Sequence, residues 1–146
     1  MIVEIQLIKP DAVIPKIKTV GSKGADLYAC MDEEKIIIEP GETAFIPLGF
    51  KTSFSPKYAA LIYARSGLAC KSGLAPANKV GVIDSDYRGE WIVALHNHST
   101  EPRTVCKFDR IAQVLFHEVE NPEFTIVDEV DETERGEGGF NSTGSN

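Results

Sequence analysis

The sequence predicts an all-β domain of the sandwich, jelly-roll or barrel kind. Three observations carry that prediction: apolar residues recur with a period of two rather than the helical period, β-branched and aromatic residues gather in short runs, and turn formers separate the runs. Val3, Ile5 and Leu7 alternate with Glu4 and Gln6, as in a strand with one buried face. Further strand-like runs follow at 36–38, 43–46, 58–63, 91–95, 111–119 and 124–127. Glu39-Pro40-Gly41, Leu48-Gly49, Ser55-Pro56 and Arg88-Gly89 punctuate them, each supplying a preset or left-handed φ for a turn. Only 66–72 can hold a helix, and its glycines keep that to a turn or two. Apolar runs on both sides of 84–89 predict a β-hairpin there.

A chain of 146 residues makes one domain large enough to fold without disulfides or structural metal. The 42% hydrophobic and 25% charged composition excludes collagen, coiled coil and wholesale disorder. A net charge of -7 argues against tracking a nucleic-acid backbone, which requires basic side chains on phosphates. Cys30, Cys70 and Cys106 are odd in number and widely spaced, as expected of thiols in a reducing compartment. No apolar run approaches membrane-span length, and the N-terminus lacks a secretory pattern, so a soluble protein of the cytoplasm or nucleus is expected. Composition divides the chain into a β domain over 1–127 and an acidic, then glycine-rich, arm over 128–146.

Five segments carry chemistry. In the arm, glycine backbone can approach phosphate oxygens, Arg135 can grip an anion, Ser142 and Thr143 donate hydroxyls, and Phe140 can stack on a base. A solubilising tail fits the same composition. At 63–69, Arg65, Ser66 and Gly67 sit where a strand turns into a short helix, a place where backbone amides collect negative charge, although no Walker spacing is present. At 78–91, Asp84 ends a strand where a carboxylate can take a proton from water, Tyr87 offers a flat wall for a sugar, and the Asn78 amide can read a base edge. Gln113 interrupts an apolar strand and must hydrogen-bond either backbone or ligand, and Asp26 is a lone acid among apolar neighbours that could cap backbone. His96 and His98 share a strand face, but further ligands for zinc are not evident.

In order, these segments resemble the five motifs of the trimeric deoxyuridine triphosphatase (dUTPase) family: GADLYA at 24–29, ARSGLA at 64–69, GVIDSDYRG at 81–89, DRIAQ at 109–113 and RGEGGFNSTG at 135–144. The resemblance implies a jelly-roll β-clip subunit, a homotrimer with active sites between subunits, and Mg²⁺-dependent hydrolysis of dUTP to dUMP and pyrophosphate. It implies neither nucleic acid nor membrane as a partner. It makes Asp84 the general base and sets Tyr87 against the deoxyribose, with Gly81, Val82, Ile83 and Asn78 reading uracil. It gives the phosphates to Arg65, Ser66, Gly67 and Gln113, and a water-mediated metal contact to Asp26. Arg135, Asn141, Ser142 and Thr143 belong to the closing arm, with Phe140 over the base.

The chain departs from the family pattern at three places. Asn141 stands where glycine is usual, Lys107-Phe108 replaces a common Pro-Gly and predicts a different turn, and Trp91 replaces a smaller residue. A deoxycytidine triphosphate deaminase shares the fold, but it usually has a further Ser at the position of Gly67, and its catalytic Glu has no counterpart here. A non-catalytic nucleotide sensor is the remaining alternative; Asp84 and Tyr87 argue against it.

Overall fold

The computed structural model describes residues 1–139 and contains twelve strands and one short helix. The strands are β1 (Val3–Leu7), β2 (Lys16–Ile17), β3 (Ala25–Tyr28), β4 (Lys35–Ile38), β5 (Thr43–Pro47), β6 (Phe50–Phe54), β7 (Tyr58–Tyr63), β8 (Leu74–Pro76), β9 (Gly81–Ile83), β10 (Ile92–Asn97), β11 (Arg103–Cys106) and β12 (Arg110–Glu118), with α1 (Ser66–Ser72) between β7 and β8. They form a five-stranded sheet ordered β2-β3-β12-β7-β9, a three-stranded sheet β5-β10-β8, and the pairs β1-β6 and β4-β11. Every ladder is antiparallel. The all-β prediction holds, and the helix lies where it was expected. No helix among the described residues is long and apolar enough to cross a membrane.

Alternation builds the core. Along β6, Phe50, Thr52 and Phe54 face in while Lys51 and Ser53 are half-exposed; along β10, Val93, Leu95 and Asn97 do the same. One cluster gathers Phe50, Phe54, Val93 and Leu95 with Leu27, Ile38, Ile46, Ile62, Val105, Ile111 and Val114, so every sheet contributes to a single interior. Trp91 is fully buried and lies 5.5 Å from the Phe50 ring, and Phe54 meets Phe116 edge-on at 5.2 Å. Asn97 is the polar tie of this interior. It donates to Ile38 O and Glu101 O, both at 2.8 Å, and accepts from Ser99 N and Oγ, so its burial leaves no valence open.

Two expectations fail. The segments 81–83 and 91–95 are not a hairpin: β9 pairs with β7 in the five-stranded sheet, whereas β10 pairs with β5 and β8. Burial of Trp91, whose backbone N–H donates to Phe50 O at 3.0 Å, pulls the chain across to the second sheet immediately after the 84–89 turn. The run 124–127 forms no strand, because no sheet edge of this chain reaches it; Phe124 is 91% and Ile126 99% exposed.

The turn leading into β12 accommodates the Lys107-Phe108 departure without abandoning a glycine-type conformation. Phe108 sits at φ 67°, a left-handed backbone that glycine adopts freely and a side chain opposes. Its surroundings overdetermine that geometry. Lys107 N donates to Glu34 O, Phe108 N to Ala29 O, and Cys106 N to the Asp109 carboxylate, each at 2.8 Å. Lys107 also pairs with Asp11 at 2.6 Å, a contact that holds the Asp11 carboxyl below its usual pKa. Phe108→Gly is therefore expected to raise stability by about 1 kcal/mol, read as a higher denaturant midpoint. A lower midpoint would show that the Phe108 ring contributes more than its backbone costs.

Candidate functional site

The five-stranded sheet brings Asp26 and Gln113 face to face. Cα register pairs Gln113 of β12 with Asp26 of β3 on one side and with Tyr63 of β7 on the other. Strict alternation would put Arg110 and Gln113 on opposite faces. A register shift between Arg110 and Ala112 cancels that: Ile111 and Ala112 are both buried, and Arg110 joins Gln113 on the outer face. Here the local irregularity assembles the site.

Asp26 is only 8% exposed and both its oxygens are engaged: Oδ1 accepts from Arg65 Nε at 2.9 Å, and Oδ2 from an Arg110 terminal nitrogen at 3.0 Å. Arg65 also donates to Arg110 O at 2.9 Å. Asp26 is thus no backbone cap but the anion between two guanidiniums. Gln113 Nε2 donates to Ala64 O at 2.9 Å, and its Oε1 packs where a side chain on Gly24 would be, so glycine at 24 permits the amide's placement. Arg65 occupies the N-cap of α1 in extended conformation, and Ser66 and Gly67 open the helix with exposed backbone.

These groups line an open cleft of about 370 Å³ that also takes in Lys18, Ser22 and Lys23. Four cations, Lys18, Lys23, Arg65 and Arg110, face a single carboxylate, Asp26, in a protein whose net charge is -7. Such an arrangement suits a polyanion with several oxygens. Sequence reasoning missed Arg110, Lys18 and Lys23. Arg110 was signalled by its place inside the DRIAQ segment; the two lysines precede the first motif in a loop with no distinguishing pattern.

The remaining predicted residues lie elsewhere. β9 forms the edge beside β7, with Gly81 opposite Ile62 and Ile83 opposite Ala60, so the chain leaves the sheet at Asp84 level with Ala59. Asp84 is exposed, and its carbonyl accepts from Tyr87 N at 3.1 Å to close the turn. Tyr87 is 43% exposed and its hydroxyl donates to Glu90 O at 3.1 Å. Asn78 is exposed, with its amide beside Gly81, and Val82 faces outward while Ile83 packs on the core. Three strand spacings and four residues along β7 separate Asp84 from Asp26, roughly 20 Å. Within one chain, therefore, Asp84 and Tyr87 do not share the cationic cleft. Arg135 donates to Gly138 O at 2.9 Å, within the arm. Phe140, Asn141, Ser142 and Thr143 lie outside the described residues.

The sequence profile of the dUTPase family matches residues 11–144. A deoxyuridine 5'-triphosphate nucleotidohydrolase of Neisseria meningitidis serogroup A is 48% identical over 133 residues, covering 90% of this chain and 88% of that one. Its counterpart from Desulfitobacterium hafniense is 48% identical over 145 residues, covering 97% and 95%. Among solved structures, a Staphylococcus bacteriophage 80alpha dUTPase variant with dUpNHpp superposes with a TM-score of 0.86 at 24% identity, covering 99% of each chain, a likeness of fold.

If the cleft takes a polyanion, the double variant Lys18→Ala/Lys23→Ala should weaken binding of inorganic tripolyphosphate about three- to tenfold in low salt. Calorimetry at raised ionic strength should shrink that difference, since exposed charges are screened there. Equal affinities in low salt would remove the lysines from the site.

Proposed function

This chain belongs to the dUTPase family and is a dUTP diphosphatase, and we propose that it works through a composite site to which separate copies contribute Asp84 and the cationic cleft. The observation carrying this proposal is the separation of roughly 20 Å between Asp84 and Asp26 along and across one sheet. A base must lie within hydrogen-bond reach of the water it activates, so one protomer's Asp84 cannot serve a triphosphate in the same protomer's cleft. A closed ring of identical subunits solves this by turning the β9 edge of one copy toward the cleft of the next. Three copies are the number proposed. The uncovered apolar side chains of Phe124 and Ile126 support a neighbour that covers them.

In this assembly the cleft holds the phosphates. Arg65, Ser66, Gly67 and Gln113 face the chain of phosphoryl oxygens, and Asp26 fixes the Arg65 and Arg110 guanidiniums. Asn78 and the backbone of Gly81, Val82 and Ile83 read the uracil ring, and Tyr87 lies against the deoxyribose. Asp84 removes a proton from a water placed behind the α-phosphorus. That water's oxygen bonds to phosphorus, the bond to the bridging oxygen of the β-phosphate breaks, and pyrophosphate leaves with its charge held by the cleft. The arm over 128–146, carrying Arg135, Phe140, Asn141, Ser142 and Thr143, closes over the nucleotide and excludes bulk water.

Among the described residues no group of three or more His, Cys, Asp or Glu side chains is placed to cage a metal. A single cleft carboxylate suits Mg²⁺ carried in on the triphosphate, since Mg²⁺ keeps several waters and is commonly held by phosphates plus one carboxylate. Asp26 is that carboxylate: its two arginine contacts leave lone pairs free for water in the ion's shell. When bound, the ion neutralises charge on the phosphate oxygens.

Product analysis with Mg²⁺ and dUTP, UTP, dTTP or dCTP in parallel should yield pyrophosphate from dUTP. Ammonia from dCTP would reassign the chain to the deaminases. Asp84→Asn should lower kcat about 10²- to 10⁴-fold with little change in KM. Co-assembling Asp84→Asn with Arg65→Ala chains should restore roughly a quarter of wild-type activity, because random mixing builds some sites from two intact halves. A mixture as inactive as its parents would place both halves of each site on one chain.

A further inference from the structure

We propose that Gly89 is a positioning residue for sugar specificity: it leaves the space in which the Tyr87 ring lies, and so holds the wall that meets the 2′ carbon of the nucleotide. This rests on Tyr87 standing against the deoxyribose. A Cβ built on Gly89 falls inside the van der Waals envelope of Tyr87 Oη and Cζ and 2.9 Å from Cε2. The ring therefore lies on bare backbone. Gly89 is not among the residues with left-handed φ, so what requires glycine here is the neighbouring ring and not the backbone conformation.

The other contacts of Tyr87 hold the ring down on that seat. Its hydroxyl donates to Glu90 O at 3.1 Å, and Glu90 is itself fixed by its carboxylate accepting from Gly49 N at 2.9 Å. Gly49 in turn accepts from Ile8 N at 2.7 Å and Lys9 N at 3.1 Å, which ties the assembly to the N-terminal segment. On the other side of the turn, the Arg88 guanidinium donates to Ser85 O at 2.7 Å, and Tyr87 N donates to Asp84 O. The ring is thus clamped from below and from its tip, while 43% of the residue stays exposed for a ligand. A methyl group at 89 evicts the ring from its seat. It does so five residues from Asp84, outside the bond that closes the Asp84–Tyr87 turn.

A displaced ring no longer occupies the volume that a 2′-hydroxyl would need. Gly89→Ala should then lower the ratio of kcat/KM for dUTP over kcat/KM for UTP by about tenfold or more, a size typical of losing one steric contact. A merely structural effect would lower both values together and leave the ratio unchanged. The same substitution placed on Tyr87→Ala should change the ratio no further, because the ring through which Gly89 acts is already gone. Melting curves accompany the kinetics. Loss of folding in Gly89→Ala that Gly89→Ala/Tyr87→Ala relieves also locates the clash at the ring, whereas loss of folding in both overturns the proposal. An unchanged ratio in Gly89→Ala, where Tyr87→Ala alone collapses it, overturns the role of Gly89 and leaves Tyr87 as the wall. An unchanged ratio in Tyr87→Ala removes both.

Discussion

One buried carboxylate organises the cationic cleft of this molecule. Asp26 lies between Arg65 and Arg110 at 2.9 and 3.0 Å, and each guanidinium comes from a different element, one from the N-cap of α1 and one from the bulged start of β12. Two arginines side by side repel, and without an anion between them they would swing into solvent. Asp26 keeps them converging before any ligand arrives, which reduces the ordering cost of binding. Removing one partner of a fully buried ion pair costs about 3–5 kcal/mol. Here the Arg110 side chain is 41% exposed, so the stability at stake is smaller, and the main consequence of the pair is orientation.

The same triad explains how an acidic protein can hold a polyanion. Net charge of -7 is spread over the surface and screened within about a Debye length. The cleft concentrates four cations against Asp26 at one end of the sheet. Local density, not the sum over the chain, sets the potential that a triphosphate meets. The proposed general base need not sit in that field. Placing Asp84 at the far end of β7 keeps its carboxylate away from the fixed arginines of its own chain, and assembly decides how near it comes to those of a neighbour.

Much of this is legible in the sequence. Period-two runs located β1, β4, β5, β7, β10 and β12, and the glycine-bounded 66–72 segment located α1. β3 and β6 were harder to read. Asp26 interrupts the apolar run of β3, and β6 reads Phe-Lys-Thr-Ser-Phe with only its ends strongly apolar. The partners of Asp26 were not legible at all. Arg110 reaches it through a bulge, and a bulge breaks the alternation from which facing is inferred. The apparent hairpin at 84–89 shows the complementary limit: two apolar strands joined by a tight turn look paired in sequence, yet nothing in the residues says that the second strand joins another sheet. The run 124–127 has strand composition without a partner in its own chain, and pairing is a property of two segments, not of one.

The departure at position 91 bears on that topology. Trp91 lies at 0% exposure against Phe50, directly after Tyr87, Gly89 and Glu90, and its backbone N–H and carbonyl bond to Phe50 and Leu48 at 3.0 and 2.9 Å. Trp91 buries a large apolar ring where the chain passes from one sheet to the other, with its indole N–H left without a hydrogen-bond partner among the described residues. The 84–89 turn is therefore anchored at its exit by the core and at its entry by the β9–β7 ladder. Fastened at both ends, it needs no hairpin partner to stay in place. A six-residue loop on an exposed edge can therefore hold the proposed proton acceptor and sugar wall in place: its short-range contacts, Tyr87 to Asp84 and Arg88 to Ser85, only have to set the shape of the loop, because its position is already set by Trp91.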